Sequence, residues 1–331
     1  MTQTAQLTTK LSVLGAGAWG TVLATLLCQQ GHEVWLWARD EKHVQELRVN
    51  HENKKYVPGL KLPLGLRVSA DLQRCTKDAS ALIWAIPTKG THEVATQISD
   101  VPAIISCSKG LETGSFKTVS EQLARYLPNT IYAALSGPNL ALEIAQGKPA
   151  AATLASNDLA FARQAQRWFN QKTFRVYSSN DLTGVEVAGA VKNIMALAAG
   201  MSDGLGLGEN AKASLLTRGL AEMVRLGKQR GGKTETFYGL AGLGDMIATC
   251  SSTSSRNHRA GELFAQGSSL ADVQQQQLTA EGIPTVKAVY DYSLKMGLDL
   301  PISTEVYRVI YEAKPPLEAI NDLMGRESKL E

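Results

Sequence analysis

Lys192 is the residue of this sequence whose surroundings best suit proton transfer. It lies within residues 184–197, a run of small and apolar side chains that predicts a buried helix. Burial disfavours the charged form of a lysine and lowers its pKa towards neutrality, where the amine can both donate and accept a proton. The alternative is a lysine with a buried stem whose ammonium reaches solvent or pairs with Glu186. The residues alone leave both interpretations open.

Two further segments follow predicted strands, at the point where ligands bind in open parallel sheets. Lys109 comes shortly after the apolar run 103–107, and the turn Ser136-Gly137-Pro138-Asn139 follows another strand. Ligands of such sheets lie outside the carboxyl ends of the strands, and a Gly-Pro turn can direct backbone N–H groups towards them. Each segment taken alone also fits an ordinary turn.

A third segment has the chemistry of phosphate binding. Ser255, Arg256 and Asn257 supply a hydroxyl, a guanidinium and an amide directly after a polar, serine-rich loop. Asp245 places a carboxylate a short distance upstream. The alternative for this segment is a solvated surface loop.

These side chains need a frame, and its clearest part is a glycine turn. The apolar run 11–14 leads into Gly15-x-Gly17-x-x-Gly20 and then into an apolar helical stretch. In this pattern Gly15 permits the turn, Gly17 lets the backbone approach a pyrophosphate, and Gly20 lets the helix pack closely against the strand. Free N–H groups at the helix start then bind the phosphates. A second strand at 33–38, after Gly31 at the helix end, predicts a bound dinucleotide rather than a bare turn.

The end of that second strand, Arg39-Asp40, bears on the choice of nicotinamide cofactor. An aspartate here can accept a hydrogen bond from the ribose 2′-hydroxyl of NAD(H), whereas an arginine can bind the 2′-phosphate of NADP(H). We expect NADP(H) to be preferred, with NAD(H) possible. The alternative for Arg39 is a solvated loop charge.

The two halves of the chain differ in their pattern. Short apolar runs alternate with helical stretches in the first half, and the predicted strands are 11–15, 33–38, 81–86, 103–106, 131–135, 151–154 and 174–177. Such alternation predicts a parallel sheet covered on both faces. From about residue 180 the patterns are helical. We therefore predict an α/β protein, with an N-terminal Rossmann-type doubly wound parallel sheet in residues 1–180 and an all-α C-terminal domain in residues 181–331 that carries substrate and catalytic groups.

Composition argues against several classes of partner. A formal net charge of +3 gives no reason to expect nucleic acid. The four cysteines (Cys28, Cys75, Cys107, Cys250) are scattered without metal-ligand spacing, as in a protein of the reducing cytoplasm. Residues 1–10 are polar and lack a secretory core, and no uninterrupted apolar run approaches about 20 residues. We expect a cytoplasmic protein with no metal and no integral membrane contact.

Taken together, the segments resemble the soluble NAD(P)-dependent glycerol-3-phosphate dehydrogenases of bacteria. The resemblance extends over nearly the whole chain and is specific because the segments occur in order. They are Gly15–Gly20, Trp37–Asp40, Asn53–Gly59, Lys109–Leu111, Ser136–Pro138, Gly184–Glu186, Val191–Asn193, Met201–Gly204, Arg218–Glu222, Gly239–Asp245, Ser255–Asn257 and Glu281–Gly282. The family usually has Ser or Thr and then an aromatic residue after Ser-Gly-Pro, where this chain has Asn139-Leu140.

The resemblance implies roles for individual positions, with Lys192 as the proton-transfer residue. The implied catalytic residues are Lys192, Lys109, Asn193, Asp245 and Thr249. The implied substrate-binding residues are Lys109, Gly137, Asn139, Lys192, Asp245, Ser255, Arg256 and Asn257. The implied cofactor-binding residues are Gly15, Gly17, Ala18, Trp19, Gly20, Arg39, Lys109, Ala141, Arg256, Thr279 and Glu281.

The same resemblance implies reversible hydride transfer between NAD(P)H and dihydroxyacetone phosphate, a small phosphorylated three-carbon substrate. The product, sn-glycerol 3-phosphate, would supply glycerophospholipid synthesis, and a homodimer is expected. One alternative is a 3-hydroxy-acid or sugar-acid dehydrogenase of the same two-domain plan, whose substrate presents a carboxylate instead of a phosphate. Another is a protein that senses NAD(P)H without turnover.

Overall fold

The computed structural model describes residues 8–276 and 278–327 and divides into two compact units. Unit 1 comprises Val119–Leu182 and the described part of Met1–Ser108, and unit 2 comprises Lys109–Thr118 and the described part of Thr183–Glu331. The division near residue 182 lies close to the predicted boundary. The segment Lys109–Thr118, predicted in the N-terminal domain, instead groups with unit 2, because Leu111 and Phe116 are buried in the apolar core of that unit. Residues 1–7, on which the prediction of no secretory signal partly rests, lie outside the described residues.

Unit 1 is built on one eight-stranded sheet of order β3-β2-β1-β4-β5-β6-β7-β8. The strands are β1 Lys10–Leu14, β2 Glu33–Trp37, β3 Arg67–Ser69, β4 Ala81–Trp84, β5 Ala103–Ser106, β6 Ile131–Ser136, β7 Ala150–Ser156 and β8 Phe174–Ser179. The predicted Rossmann-type parallel sheet is confirmed, with one exception to the parallel order, since β7 runs antiparallel to β6. The short strand β3 was not predicted, because Arg67-Val68-Ser69 contains a single apolar residue and so lacks the apolar run of the other strands.

The parallel register places several predicted site residues along one edge of the sheet. Leu14 pairs with both Trp37 and Trp84, so β1, β2 and β4 end at the same level. Gly15 follows the first of these ends, and Arg39 comes two residues after the second. This is the edge at which open α/β sheets bind their ligands.

Short to medium α-helices connect these strands in the described part of unit 1. They are α1 Ala18–Gln29, α2 Glu41–Asn50, α3 Leu72–Thr76, α4 Thr91–Ala95, α5 Val119–Leu123, α6 Ala141–Ala145 and α7 Leu159–Phe169. Helix α1 begins directly after Gly17 and is buried over most of its length. It ends before Gly31, whose φ of 83° is the left-handed conformation expected of a glycine after a helix.

The regular secondary structure in the described residues of unit 2 is helical, whereas its segment Lys109–Thr118 is irregular. Its helices are α8 Leu182–Gly204, α9 Glu209–Gln229, α10 Thr234–Tyr238, α11 Asp245–Cys250, α12 Arg256–Ala265, α13 Leu270–Gln275, α14 Gly282–Met296, α15 Pro301–Tyr311 and α16 Pro316–Met324. Between α10 and α11 lies one π-helical turn, Leu240–Gly244, which the sequence patterns did not predict. Its glycine-rich sequence has no helical periodicity, and the turn leads directly into Asp245.

Helix α8 forms the centre of unit 2. By length and composition it is apolar enough to cross a membrane, although it contains no uninterrupted apolar run. However, 94% of its most apolar stretch is buried inside the protein. Glycines let α12 approach it closely. A Cβ on Gly200 would lie 1.9 Å from the His258 carbonyl oxygen, and one on Gly261 would lie 2.1 Å from that of Leu197. The start of α12, with Arg256 and Asn257, is therefore held against the helix that carries Lys192.

Candidate active site

Two lysines and one carboxylate form the centre of the site in unit 2. Lys192 Nζ donates to Asp245 Oδ1 at 3.0 Å, and Lys109 Nζ donates to Asp245 Oδ2 at 2.5 Å. Asp245 is 2% exposed and Lys192 5%. The carboxylate thus holds two cations near each other in an interior where water screens their repulsion weakly. The structure therefore pairs Lys192 with Asp245, and not with Glu186 as in the alternative interpretation.

The surroundings shift the pKa of Lys192 into the range useful for proton transfer. Burial is the main cause and lowers the pKa, the charge of Asp245 opposes this, and the nearby charge of Lys109 lowers it further. The resulting pKa is about 8. For Asp245, burial acts to raise the pKa, but the charges of Lys109 and then Lys192 outweigh it and hold the pKa below its usual value. The carboxylate is therefore ionised at neutral pH, while Lys192 exchanges a proton readily.

Thr249 completes the contacts of the Lys192 ammonium. Its hydroxyl accepts from Lys192 Nζ at 2.5 Å and donates to the Asp245 carbonyl oxygen one helical turn earlier at 2.7 Å. An ammonium carries three hydrogens. Within residues 8–276 and 278–327, Asp245 and Thr249 are the hydrogen-bond partners of this one, which leaves a hydrogen for a substrate oxygen.

A chain of amide hydrogen bonds supports the lysines. Asn193 Nδ2 donates to the Lys109 carbonyl oxygen at 3.0 Å, and Asn257 Nδ2 donates to Asn193 Oδ1 at 2.9 Å. Asn257 Oδ1 in turn accepts from the Gly282 N–H at 2.9 Å. Both polar atoms of the Asn257 side chain are thus engaged, so a substrate contact from this amide would have to share or replace one of these bonds.

The remaining predicted residues of unit 2 occupy the starts of two helices. Ser255 is buried and caps α12, its hydroxyl accepting from the His258 N–H at 3.3 Å. Arg256, the first residue of α12, is exposed, and its guanidinium has no hydrogen-bond partner among the described residues. Thr279 and Glu281 are half-buried and precede α14. Within the described residues the Arg256 guanidinium is therefore available to bind an anion, at the start of a helix that packs against α8.

The glycine turn of unit 1 fits a dinucleotide pyrophosphate. Gly15 has a φ of 113°, and a Cβ there would lie 2.6 Å from the Ala85 carbonyl oxygen. A Cβ on Gly20 would lie 1.9 Å from the Gly15 carbonyl oxygen, whereas one on Gly17 would meet nothing within 4 Å. Two glycines are thus required by packing and the third borders open space for a ligand. The first turn of α1, with Ala18 and Trp19, has no acidic residue to repel a phosphate.

Sequence reasoning assigned no role to Asn53, which holds this turn in place. Asn53 is fully buried, and its Nδ2 donates to the Ala16 carbonyl oxygen at 3.0 Å and to the Thr21 hydroxyl at 2.8 Å. Residues 53–59 are one of the segments that carry the family resemblance, and this was the signal by which Asn53 could have been found from the sequence. Its contact to a turn 37 residues earlier depends on the tertiary structure.

Arg39 and Asp40 have partners that bear on cofactor choice. Arg39 Nη1 lies 3.3 Å from Glu93 Oε2, and the two side chains are 76% and 56% exposed. Asp40 caps α2 by accepting from the Lys42 N–H at 3.0 Å. Glu93, on α4, was not foreseen, because nothing in the sequence relates it to Arg39.

The Gly-Pro turn after β6 places a glycine and a free amide at the strand end. Gly137 has a φ of 155°, and a Cβ there would lie 2.9 Å from the Ala151 carbonyl oxygen, so no other residue fits. Both polar atoms of the Asn139 side chain are buried without a hydrogen-bond partner among the described residues. Ala141 begins α6 directly afterwards. An unpartnered buried amide is costly unless a ligand satisfies it, so Asn139 is suited to bind one.

Comparison with known proteins finds relatives that match over nearly the whole chain. Family models described as the N-terminus and the C-terminus of NAD-dependent glycerol-3-phosphate dehydrogenase match residues 10–162 and 181–321. The glycerol-3-phosphate dehydrogenase [NAD(P)+] of Geobacter sp. (strain M21) is 42% identical over 330 residues, which cover 97% of this chain and 98% of that protein. That of Bacillus cytotoxicus is 41% identical over 334 residues, covering 98% and 97%. A crystal structure of glycerol-3-phosphate dehydrogenase from Coxiella burnetii superposes with a TM-score of 0.92 at 38% identity, covering 96% of this chain and 99% of that one.

Proposed function

The chain belongs to the NAD-dependent glycerol-3-phosphate dehydrogenase family, and we propose that it catalyses reversible hydride transfer between NAD(P)H and dihydroxyacetone phosphate, forming sn-glycerol 3-phosphate. The observation that carries this proposal is the buried arrangement in which Asp245 joins Lys109 and Lys192. Reduction of a ketone creates negative charge on an oxygen that must then receive a proton. A buried lysine with a pKa of about 8, beside a second cation, suits both needs.

Each residue of the site has a defined part in this reaction. The nicotinamide, when bound, supplies or accepts the hydride. Lys192 Nζ gives a proton to the carbonyl oxygen during reduction and takes one from the hydroxyl during oxidation. Lys109 adds positive potential at the same oxygen, while Asp245 and Thr249 orient the Lys192 amine through their hydrogen bonds.

The phosphate end of the substrate requires a fixed cation. The exposed guanidinium of Arg256 supports this role, because it lacks a partner among the described residues and begins a helix packed against α8. Asn193 and Asn257 hold the Lys109 backbone in place. Gly137 and the unpartnered Asn139 amide supply further polar groups for substrate, with Asn139 offering an amide where the family usually has a hydroxyl.

For the cofactor, the family uses NAD or NADP, and we propose a preference for NADP(H). Gly15, Gly17, Ala18, Trp19 and Gly20 form the pyrophosphate site. The proposed contacts elsewhere are Lys109, Ala141, Arg256, Thr279 and Glu281. The exposed guanidinium of Arg39 supports recognition of a 2′-phosphate. The Asp40 carboxylate would favour NAD(H) by binding the ribose 2′-hydroxyl, but one of its oxygens already accepts the hydrogen bond that caps α2.

The product identifies the cellular role we propose, the supply of sn-glycerol 3-phosphate for glycerophospholipid synthesis. We further propose that the protein acts in the cytoplasm as a homodimer and needs no metal. Size measurement in solution tests the dimer, and turnover in the presence of a chelator tests metal independence.

The decisive experiment follows NADPH absorbance with purified protein and dihydroxyacetone phosphate. Turnover should be rapid with this substrate and at least about 100-fold slower in kcat/KM with unphosphorylated dihydroxyacetone, because the phosphate supplies the positioning energy. Lys192→Met should lower kcat by about 10²–10⁴-fold, the usual contribution of a general acid, while NADPH binding is retained. Equal turnover of the two substrates would overturn the substrate assignment, and a near-normal kcat in Lys192→Met would overturn the role of the lysine.

A further inference from the structure

The segment Lys109–Thr118 is joined covalently to unit 1 at both ends but packs in unit 2. Its place in unit 2 must therefore be held by its own contacts. At one end, the Lys109 carbonyl oxygen accepts from Asn193 and the Lys109 ammonium pairs with Asp245. These contacts belong to the active site itself, so something else must position the remainder of the segment.

The other end is held by an aromatic stack that lies outside the site described above. The ring of Phe116 stacks on that of Tyr292 with a centroid distance of 4.1 Å and an interplanar angle of 12°. The guanidinium of Arg230, at the end of α9, lies 5.2 Å from the Phe116 centroid and 5.9 Å from the Tyr292 centroid. Phe116 is 3% exposed. We refer to these three side chains, Phe116, Tyr292 and Arg230, as the aromatic clamp.

The backbone at Phe116 shows that this placement is enforced. Its φ of 58° is the left-handed conformation, which bulky side chains rarely adopt. Such a conformation persists only where the surroundings compensate for it, and here burial, stacking and a cation over the ring all do so. The segment is also closed on itself, since the Glu112 N–H donates to the Lys117 carbonyl oxygen and the Phe116 N–H to that of Glu112, both at 2.9 Å.

We propose that Phe116, through the aromatic clamp, is a positioning residue that keeps the Lys109 ammonium beside Asp245 and Lys192. The proposal rests on the proposed function for its kinetic consequences. Lys109 lowers the pKa of Lys192 by like-charge repulsion, so the repulsion weakens if Lys109 moves away. Loss of the clamp therefore raises the pKa of Lys192 and lowers catalysis, whereas a general loss of stability changes neither the pKa nor its dependence on Lys109.

The test compares Phe116→Leu, which keeps an apolar side chain but removes the stack, with the wild-type protein. The pH dependence of kcat/KM for glycerol 3-phosphate oxidation should shift upward by about 0.5–1 pH unit, and kcat/KM at pH 7 should fall by about 3–10-fold. Tyr292→Leu should reproduce both changes, while Tyr292→Phe, which keeps the ring, should behave as wild type. Ile310→Ala, in the same core but on α15, should lower the Tm without shifting the profile.

Two further measurements separate this proposal from the proposed function. In a Lys109→Met background, Phe116→Leu should cause no additional shift of the profile, because the residue through which it acts is gone. The labelling rate of the Lys109 amine by acetic anhydride, followed by mass spectrometry, should rise in Phe116→Leu and does not depend on turnover. An unshifted profile together with an unchanged labelling rate would overturn the role of the clamp, as would an equal shift in the Lys109→Met background. Absence of turnover in the wild type, with faster labelling in Phe116→Leu, would contradict only the proposed function.

Discussion

Replacing Asp245 with asparagine tests the electrostatic basis of the site. The substitution keeps the shape of the side chain and removes the negative charge between two cations. Lys192 Nζ lies 3.0 Å from Asp245 Oδ1, and at this distance a pair of opposite unit charges interacts by roughly 5 kcal/mol at an effective dielectric constant of about 20. That energy corresponds to about 4 pKa units.

Relaxation of the site reduces the effect. The asparagine oxygen can still accept a hydrogen bond from one lysine, and the two ammonium groups can move apart, so we expect about half of this shift, or about 2 units. The pKa of Lys192, about 8 in the native protein, should therefore fall. The substitution should also lower the free energy of unfolding by about 3 kcal/mol at neutral pH, because it leaves buried positive charge without a counter-charge.

The assay is the pH dependence of kcat/KM for glycerol 3-phosphate oxidation, in which the proposed role of Lys192 as proton acceptor requires a neutral amine. The native rate should rise with pH through about 8, and the inflection in Asp245→Asn should move to lower pH by about 2 units. Its plateau should be lower than the native one, because a weaker base with poorer orientation accepts the proton less well.

The matched control is Asp322→Asn, which breaks another Asp–Lys pair, with Lys314, at the surface of unit 2. It should leave the inflection in place. An inflection in Asp245→Asn that stays near its native position, or moves to higher pH, would refute the reasoning, since both outcomes mean that the carboxylate does not set the pKa of Lys192.

Two further predictions concern the cofactor and the stability of unit 2. Glu93→Gln should raise the ratio of kcat/KM for NADPH to that for NADH by about 2–5-fold, because it frees Arg39 and removes a negative charge that would repel the 2′-phosphate. The effect is small because both Arg39 and Glu93 are exposed to solvent. Initial rates measured over a range of concentrations of each cofactor check this ratio of kcat/KM values, and an unchanged ratio would contradict a role of Arg39 in selecting the 2′-phosphate. Glu222, which accepts from the Ile302 and Ser303 N–H groups, has a pKa that burial raises to about 7. Between about pH 4.5 and pH 7 the folded protein thus holds a proton that the unfolded chain has lost. The free energy of unfolding should therefore fall as the pH rises through this range, by up to about 3 kcal/mol. Urea unfolding at pH 5 and pH 8 should show this fall in the native protein and not in Glu222→Gln.

Local patterns in the sequence sufficed for much of the fold. The strand–glycine turn–helix at residues 10–29 was predictable because the left-handed φ of Gly15 and the close approach of Gly20 to the Gly15 carbonyl oxygen are constraints within this short segment. The antiparallel pairing of β7 was not, because the direction of a strand depends on how the chain returns to the sheet. Strand β3 and the π-helical turn before Asp245 lack the periodicity on which prediction relies.

The sequence by itself determined the residue types on which the proposed chemistry depends: a lysine among small apolar residues, an arginine after a serine-rich loop, and a glycine turn between a strand and a helix. Only the tertiary structure decided the partners. It paired Lys192 with Asp245 and not with Glu186, and it brought Lys109 to the same carboxylate across 136 residues. It also gave Asn53 its hydrogen bond to the glycine turn and stacked Phe116 on Tyr292. The physical reason is that burial tendency follows from neighbouring residues, whereas the sign and distance of a nearby charge depend on segments that meet only when the chain is folded.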